Sequence, residues 1–199
     1  MSGWDITGAN YPGADLSGAQ LRGTKASLAN FNGAKAIKSD FRMAMLTNAQ
    51  MANADLTFAR FEKADLSAAD LTGAILVKGR LSEAKLIGTT VTDAMLTEVI
   101  ARAADFSGAN LLRTDFTGAD LTGAIFDNAV LTGARFINAQ LTDAKMRSVR
   151  LVNVDMSGAI GVSTVTFDGA CATHGSHIPD VTLPNCEDVT LLIVGLNGK

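Results

Sequence analysis

The feature that most constrains this chain is a five-residue rhythm, which runs without insertion or deletion from Ile6 to Met156. Large apolar residues recur at the positions whose numbers end in 1 or 6, which we term central positions. Of these 31 positions, 28 carry Leu, Phe, Met, Ile, Val or Tyr, and the other three carry Ala. Two residues before each central position the chain places a small residue, which is Ala at 22 of 30 sites. One large and one small apolar residue therefore alternate along most of the chain.

A period of five fits neither regular helix nor regular strand. A helix repeats every 3.6 residues and a strand every two, so either would scatter the large residues to all sides. The chain must therefore turn once per repeat. Its composition is 47% hydrophobic but only 6% aromatic, which favours a narrow, regular interior filled mainly by Ala and Leu. The 199 residues are enough for a sizeable core.

Individual repeats resemble those of a known family. The units ADLSG (14–18), ADLTG (119–123) and ANLLR (109–113) follow, or nearly follow, the order small residue, Asp or Asn, Leu or Phe, Ser or Thr, Gly. In this pattern the chain resembles the pentapeptide-repeat family. The resemblance implies an all-β fold, a right-handed quadrilateral β-helix in which four repeats make one square coil, with the central and small residues pointing inward. The 31 repeats would make about seven to eight coils, stacked about 4.8 Å apart.

The sequence divides into two segments. We expect residues 1–160 to form the repeat β-helix and residues 161–199, which lack the rhythm, to form a C-terminal capping or dimerisation segment. A repeat rod needs a cap over its last apolar coil. The run VTLLIVGL (189–196) reads as a short buried strand or helix, and it could equally form a homodimer interface. At the other end, Trp4 and Tyr11 would shield the first coil or face a partner.

Side-chain volumes predict how the interior is filled. In the coil with Ala26, Phe31, Ala36 and Phe41, two small residues leave room for two large ones, as close packing requires. Phenylalanines four repeats apart should stack in columns, Phe106 over Phe126 and Phe116 over Phe136. One segment, TEVIARAAD (97–105), matches the repeat poorly because Ile100 and Ala101 exchange the usual polar and large characters. It predicts a local distortion or a short helical bulge.

The residues before the central positions should project outward, and every fourth one should fall in the same row. Two opposite rows are Asp5, Lys25, Met45, Asp65, Lys85, Asp105, Ile125, Lys145 and Asp15, Lys35, Asp55, Ile75, Met95, Asp115, Arg135, Asp155. Acidic and basic residues mostly alternate along each row. This predicts ion pairs between neighbouring coils, each of which contributes little to stability. Residues 1–160 hold 16 basic and 16 acidic side chains. Direct nucleic-acid binding, which needs a basic stripe, is therefore not expected.

Some outward positions are apolar. Ile75, Val77, Met95 and Ile100 should gather at one corner of the middle coils. An exposed patch of this kind can mark a partner site, although single outward aliphatic residues are common on protein surfaces. We treat these four residues as a candidate interaction patch.

Both cysteines and both histidines of the chain lie close together in the tail: Cys171, His174, His177 and Cys186. The spacing C-x2-H-x2-H-x8-C supplies four side chains that can bind zinc. A Cys171–Cys186 disulfide is a second interpretation, which a cytoplasmic location disfavours. The third is that all four residues are unligated. No C-x2-C pair strengthens the metal interpretation, so no metal or other cofactor is assigned.

These observations favour a non-enzymatic scaffold. A filled rod offers no pocket, and no P-loop, dinucleotide fingerprint or H-E-x-x-H occurs in the sequence. We expect a cytoplasmic protein without a membrane span, binding an unidentified protein partner. The family resemblance adds an alternative, a DNA-mimic protein that binds the topoisomerase gyrase and protects it from quinolones. Such a mimic needs rows of like charge, and the rows here alternate.

Overall fold

The computed structural model describes residues 3–187. The chain winds into a square coil in which each outward residue pairs, in parallel, with the outward residue four repeats later. This register begins with Asp5 paired to Lys25 and continues to Gln140 paired to Ile160. Four such pairs per turn define the four sides of the square. The predicted all-β, quadrilateral β-helix is confirmed.

A tight turn joins each side to the next. In the turn after Ile6, the N–H of Ala9 donates to the carbonyl of Ile6 at 3.0 Å, and the third residue, Gly8, has a φ of 67°. Positive φ at the third residue is the hallmark of a type II turn. Each repeat therefore consists of one pairing residue, one central residue, two turn residues and one small residue. This division is the physical origin of the five-residue rhythm.

The central and small residues form a single continuous core. Leu46, Leu66 and Phe126 are fully buried, as are most other central residues. The predicted phenylalanine columns are confirmed: the rings of Phe106 and Phe126 lie 5.1 Å apart with planes 2° apart. The first coil is the exception, because Tyr11 is 41% exposed.

The distortion predicted for residues 97–105 is wrong. Ile100 pairs in register with Arg80 on one side and with Asp120 on the other, and Ala101 is fully buried in a central position. The small Ala101 is followed in its coil by two large residues, Phe106 and Phe116, whose rings lie 5.7 Å apart.

After Ile160 the coil continues, but paired residues are further apart in the sequence than in the earlier coils. Two short parallel strands pair here, β1 (Arg150–Leu151) with β2 (Cys171–Ala172), in a register one residue longer than that of the earlier coils. The additional residue is accommodated by a 3-10 helix, Val162–Thr164. The helix follows Gly161, whose φ is +78°, and a Cβ there would lie 2.7 Å from the backbone of Thr142.

Part of the tail is therefore a further turn of the β-helix. Thr166 pairs with Lys145, and His177 pairs with Asp155. The division predicted at residue 160/161 falls where the regular register ends, although the coil does not end there. The run VTLLIVGL (189–196) lies outside the described residues, so its predicted role in capping or dimerisation stays a prediction.

Candidate interaction surface

The four residues predicted to form an apolar patch lie around one corner of the rod. Ile75 and Met95 pair across neighbouring coils on one side of the square, and Ile100 lies on the adjoining side. Val77 occupies the turn between the two sides. Ile75, Val77 and Ile100 are half-buried, whereas Met95 is 46% exposed.

The structure adds an aromatic residue to this corner. Phe58 lies one coil before Val77, in the turn that stacks against the turn of Val77. Its N–H donates to the carbonyl of Val77 at 3.0 Å. Its side chain is 44% exposed, and the Nζ of Lys38 lies 6.0 Å from the ring centroid. We call Phe58, Ile75, Val77, Met95 and Ile100 the apolar corner.

The backbone of Phe58 adopts the positive φ that recurs at this turn position along the chain, at glycine and non-glycine residues alike. Phe58 has a φ of 59°, in a turn position where glycine is favoured because a Cβ is unfavourable at positive φ. Sequence reasoning missed this residue because it considered only the residues before and near the central positions. The signal was present as a large aromatic residue at a site that is Gly in units such as ADLSG.

Charged side chains surround the apolar corner. Lys78 and Glu98 pair at 3.4 Å along the same edge of the rod. On the adjoining side, Glu62 accepts from Arg60 at 3.1 Å and from Arg80 at 2.7 Å. Burial raises the pKa of Glu62, but hydrogen bonds from its backbone and from the two arginines outweigh this effect and lower the pKa.

The outward rows have the predicted stacking but few of the predicted ion pairs. In the two rows only Arg135 and Asp115 approach within 4 Å, at 3.8 Å, among residues 3–187. The carboxylates bond locally instead: Asp65 accepts the N–H of Ser67 at 3.0 Å, two residues on. Five of the ten ion pairs within residues 3–187 join two turn residues at the corners, for example Arg113 with Asp93.

The four tail residues do not form the candidate zinc site. Cys171 and Cys186 are joined in a disulfide, so their sulfur atoms are not available as thiolate ligands. His177 pairs with Asp155 on a side of the rod, while the Nδ1 of His174 lies 3.4 Å from the amide nitrogen of Asn185. In residues 3–187 no cluster of three or more His, Cys, Asp or Glu is arranged for a metal ion.

Surface concavities occur at the ends of the rod and on one side. A concavity of about 200 Å³ at the N-terminal end is lined by apolar residues. A second, of about 240 Å³, lies against the tail and includes His174 and Asn185. A third, of about 260 Å³, lies beside Val130 and Arg150. These hollows lie on the outside of the rod, around the filled core.

Sequence comparison decides the family. The profile of the family described as Pentapeptide repeats matches in 8 copies, which cover residues 4–100 and 102–160. The chain belongs to the pentapeptide-repeat family. Its β-helix is right-handed, as in the solved pentapeptide-repeat proteins that it resembles. No curated protein matches the chain.

Two solved structures illustrate the likeness of this pentapeptide-repeat protein to others. A form of QnrB1, a plasmid-mediated fluoroquinolone resistance protein, is 16% identical with a TM-score of 0.63, over 98% of this chain and 96% of that one. HetL, involved in heterocyst differentiation regulation in the cyanobacterium Nostoc sp. strain PCC 7120, is 28% identical with a TM-score of 0.48, over 92% and 90% of the two chains. The first likeness shows the fold alone.

Proposed function

We propose that this pentapeptide-repeat protein is a non-enzymatic scaffold that binds another protein through the apolar corner. The observation that carries the proposal is Phe58, an aromatic residue that is 44% exposed at the same corner of the rod as Ile75, Val77, Met95 and Ile100. Its positive φ is shared by many non-glycine turn residues of this chain, Leu28 among them, and carries no argument by itself. Exposed apolar side chains that gather on one surface mark an interaction site.

The surroundings of Phe58 support this proposal. Protein interfaces combine an apolar centre, rich in aromatic residues and methionine, with a polar rim. Phe58 and Met95 supply exposed apolar side chains, Lys78 and Glu98 supply charged groups on the same corner, and Arg80 supplies one on the adjoining side. The filled core supports a role without catalysis, because fully buried apolar side chains such as Leu66 and Phe126 leave no interior site for a substrate.

The DNA-mimic alternative has less support. A mimic of duplex DNA needs a continuous negative surface, whereas Asp5 pairs with Lys25 and Asp65 with Lys85 along one row. The likeness to QnrB1, at 16% identity, bears on the fold alone. A cytoplasmic location also stays a prediction. The Cys171–Cys186 disulfide weighs against it, since disulfides are rare in the cytosol. Within residues 3–187 no helix has the length and apolar character to cross a bilayer.

The proposal predicts a separation of stability from binding. Phe58→Gly removes the ring and relieves the backbone, so it should leave the fold intact or raise its stability while abolishing capture of the partner. Leu28→Gly is the matched control, because Leu28 is 61% exposed with a φ of 61° in a turn at a different corner.

The measurement is affinity capture from the native cell, followed by reconstitution with each purified partner. We expect a protein retained by the wild type and by Leu28→Gly but lost with Phe58→Gly. Equal retention by both variants would refute the apolar corner as the binding surface. A DNA-supercoiling assay with a fluoroquinolone runs in parallel, and protection of gyrase would favour the DNA-mimic alternative instead.

A further inference from the structure

Among residues 3–187, no residue covers the apolar surface at the N-terminal end of the rod. Trp4 is 54% exposed and Tyr11 is 41% exposed. Together with Ile6, Leu16, Leu21 and Phe31 they line the concavity of about 200 Å³ at this end. A contiguous apolar surface rimmed by polar groups marks an interaction site. Trp and Tyr are also the residue types that contribute most at protein interfaces.

The backbone at this end presents an unpaired β-edge. In the second coil, the N–H of Lys25 donates to the carbonyl of Trp4, and the carbonyl of Lys25 accepts from Ile6, each at 2.8 Å. The pairing residues of the later regular coils are bound to the preceding coil in the same way. The four equivalent residues of the first coil have no preceding coil among residues 3–187. They are Asp5, Asn10, Asp15 and Gln20.

Each of these four residues therefore carries an N–H and a carbonyl directed off the end of the rod, one pair on each side of the square. No other backbone group of residues 3–187 bonds to them. An open edge of this kind is a template for pairing with another chain.

We propose that a second copy of this chain covers the end, head to head, about a two-fold axis perpendicular to the rod. That operation reverses the second rod, so the strands that meet on each side run antiparallel. In an antiparallel hydrogen-bonded pair, two facing residues exchange both of their N–H to carbonyl bonds. Each side of the first coil supplies one residue with both groups free. The two ends can thus form four such pairs and enclose both apolar concavities.

The side chains select the direction of the two-fold axis. Around the square the four pairing residues alternate between carboxylate and amide: Asp5, Asn10, Asp15, Gln20. An axis along a diagonal of the square exchanges neighbouring sides, so every carboxylate meets an amide of the second copy. An axis through the middle of two sides places carboxylates opposite each other. The carboxylates have an acceptor to offer, because the bonds that Asp5 and Asp15 accept within residues 3–187 all fall on Oδ1.

This dimer does not use the apolar corner, which lies on the side of the rod. It is closed and isologous, because both copies use the same surface. A head-to-tail contact would instead leave one open end on each new copy and extend into a filament.

The sole tryptophan reports directly on this end. As concentration rises, we expect analytical ultracentrifugation to show a monomer–dimer equilibrium. The emission of Trp4 should shift to shorter wavelength over the same range, with reduced quenching by acrylamide. A chain that stays monomeric up to concentrations on the order of 100 µM, or a dimer that leaves Trp4 accessible to quencher, overturns the proposal.

Spin labels distinguish this arrangement from other dimers. Lys25→Cys and Lys85→Cys place labels on the same row, in the second and fifth coils. Across a head-to-head dimer we expect distances of about 20 Å between the two labels at position 25 and about 45 Å at position 85, from the coil spacing. A dimer through the C-terminal segment would make the distance at position 85 the shorter one and would refute the proposal.

Charge changes test the diagonal pairing. Asn10→Lys with Gln20→Lys should tighten the dimer at least tenfold, because each lysine would face an aspartate. Asn10→Asp with Gln20→Glu should weaken it by a similar factor. The matched control, Gln50→Glu with Gln140→Glu, adds the same charge to exposed positions away from the end and should change dimerisation less than twofold. The proposal is contradicted if the lysine variant associates more weakly than the wild type. It is also contradicted if the control weakens dimerisation as much as Asn10→Asp with Gln20→Glu does.

Discussion

Phe106 and Phe126 stack in parallel across neighbouring coils, with ring centroids 5.1 Å apart. Phe116 and Phe136 stack in the same way on the opposite side. The two columns meet edge to face, with Phe116 and Phe126 5.9 Å apart. Both arrangements are favourable for aromatic pairs. The two columns therefore join four rings into one packed cluster in the C-terminal half of the rod.

Loss of one ring should destabilise these coils strongly. Phe126→Ala removes a fully buried side chain from both a stacked and an edge-on contact, and we expect a loss of about 3–5 kcal/mol in the free energy of unfolding. Urea denaturation followed by circular dichroism measures it. Phe58→Ala is the matched control, because it removes the same ring from an exposed site and should cost far less. Similar losses for the two variants would contradict the packing described here.

The aspartates before the central positions stabilise their own turns. Asp65 accepts the N–H of Ser67 at 3.0 Å, and the same bond recurs between Asp105 and Ser107 at 2.9 Å. Asp65→Ala should cost about 1 kcal/mol, whereas Asp65→Asn keeps an acceptor and should cost much less. Chemical denaturation at low and high salt checks this. If Asp65 acted mainly through ion pairs, Asn and Ala would be equally harmful and the loss would shrink at high salt.

Acid should weaken the rod through Asp40. The guanidinium of Arg42 donates to this carboxylate and lowers its pKa, and a backbone N–H adds to the effect, against the opposing influence of burial. Because the pKa in the folded state lies below the ordinary 3.8, the stabilisation is complete above that pH. It is lost as pH falls through the folded-state pKa.

The measurement is the free energy of unfolding between neutral pH and about pH 3. Asp40→Asn should flatten the acidic limb of the profile and lower stability at neutral pH. Asp168→Asn, which removes a carboxylate that is 83% exposed, is the control for the loss of one negative charge. An unchanged acidic limb in Asp40→Asn would show that this carboxylate does not carry the effect.

The interior of the rod could be predicted from the sequence because its rule is simple. A large apolar residue every fifth position can be buried only if the chain turns once per repeat, and Leu66 and Phe126 are buried as that rule requires. The period alone does not specify four repeats per coil. That number came from the family resemblance, and the pairing of Asp5 with Lys25 confirms it.

The exterior was harder to predict because local bonds compete with longer-range ones. Alternating charges along each row indicated ion pairs between coils, but an aspartate reaches the N–H two positions on at less cost in side-chain entropy. Asp65 therefore bonds to Ser67 rather than to Lys85. Phe58 could have been predicted as an exposed aromatic residue, because it occupies the turn site that is Gly in units such as ADLSG.

The continuation of the coil into the tail was not predicted, because a few additional residues hide the repeat. Phe167 follows the pairing residue Thr166 and begins a turn that the N–H of Ala170 closes at 2.8 Å. In the same way, Ile178 follows the pairing residue His177 as a central residue. Asp180, with a φ of 61°, is then the third residue of the next turn. The 3-10 helix at Val162–Thr164 shifts this pattern out of the original count. A search that allowed insertions would have found these repeats.

The disulfide should hold the segment around Cys186 against the last described coil. Cys171 and Cys186 are 15 residues apart, and closing a loop of that length contributes about 3 kcal/mol in the chain-entropy account. Two neighbouring amides distinguish this effect from general unfolding. The N–H of Ala172 donates to the carbonyl of Pro184, whereas the N–H of Thr173 donates to Leu151 within the coil, each at 3.0 Å.

Reduction should therefore speed hydrogen exchange at Ala172 much more than at Thr173. The double variant Cys171→Ala with Cys186→Ala should show the same difference without a reductant. Thiol titration of the denatured protein should find thiols only after reduction. Free thiols before reduction, or equal acceleration at the two amides, would mean that the disulfide is absent or that it secures the whole coil. The difference in exchange thus measures how far the segment around Cys186 opens independently of the coil beneath it.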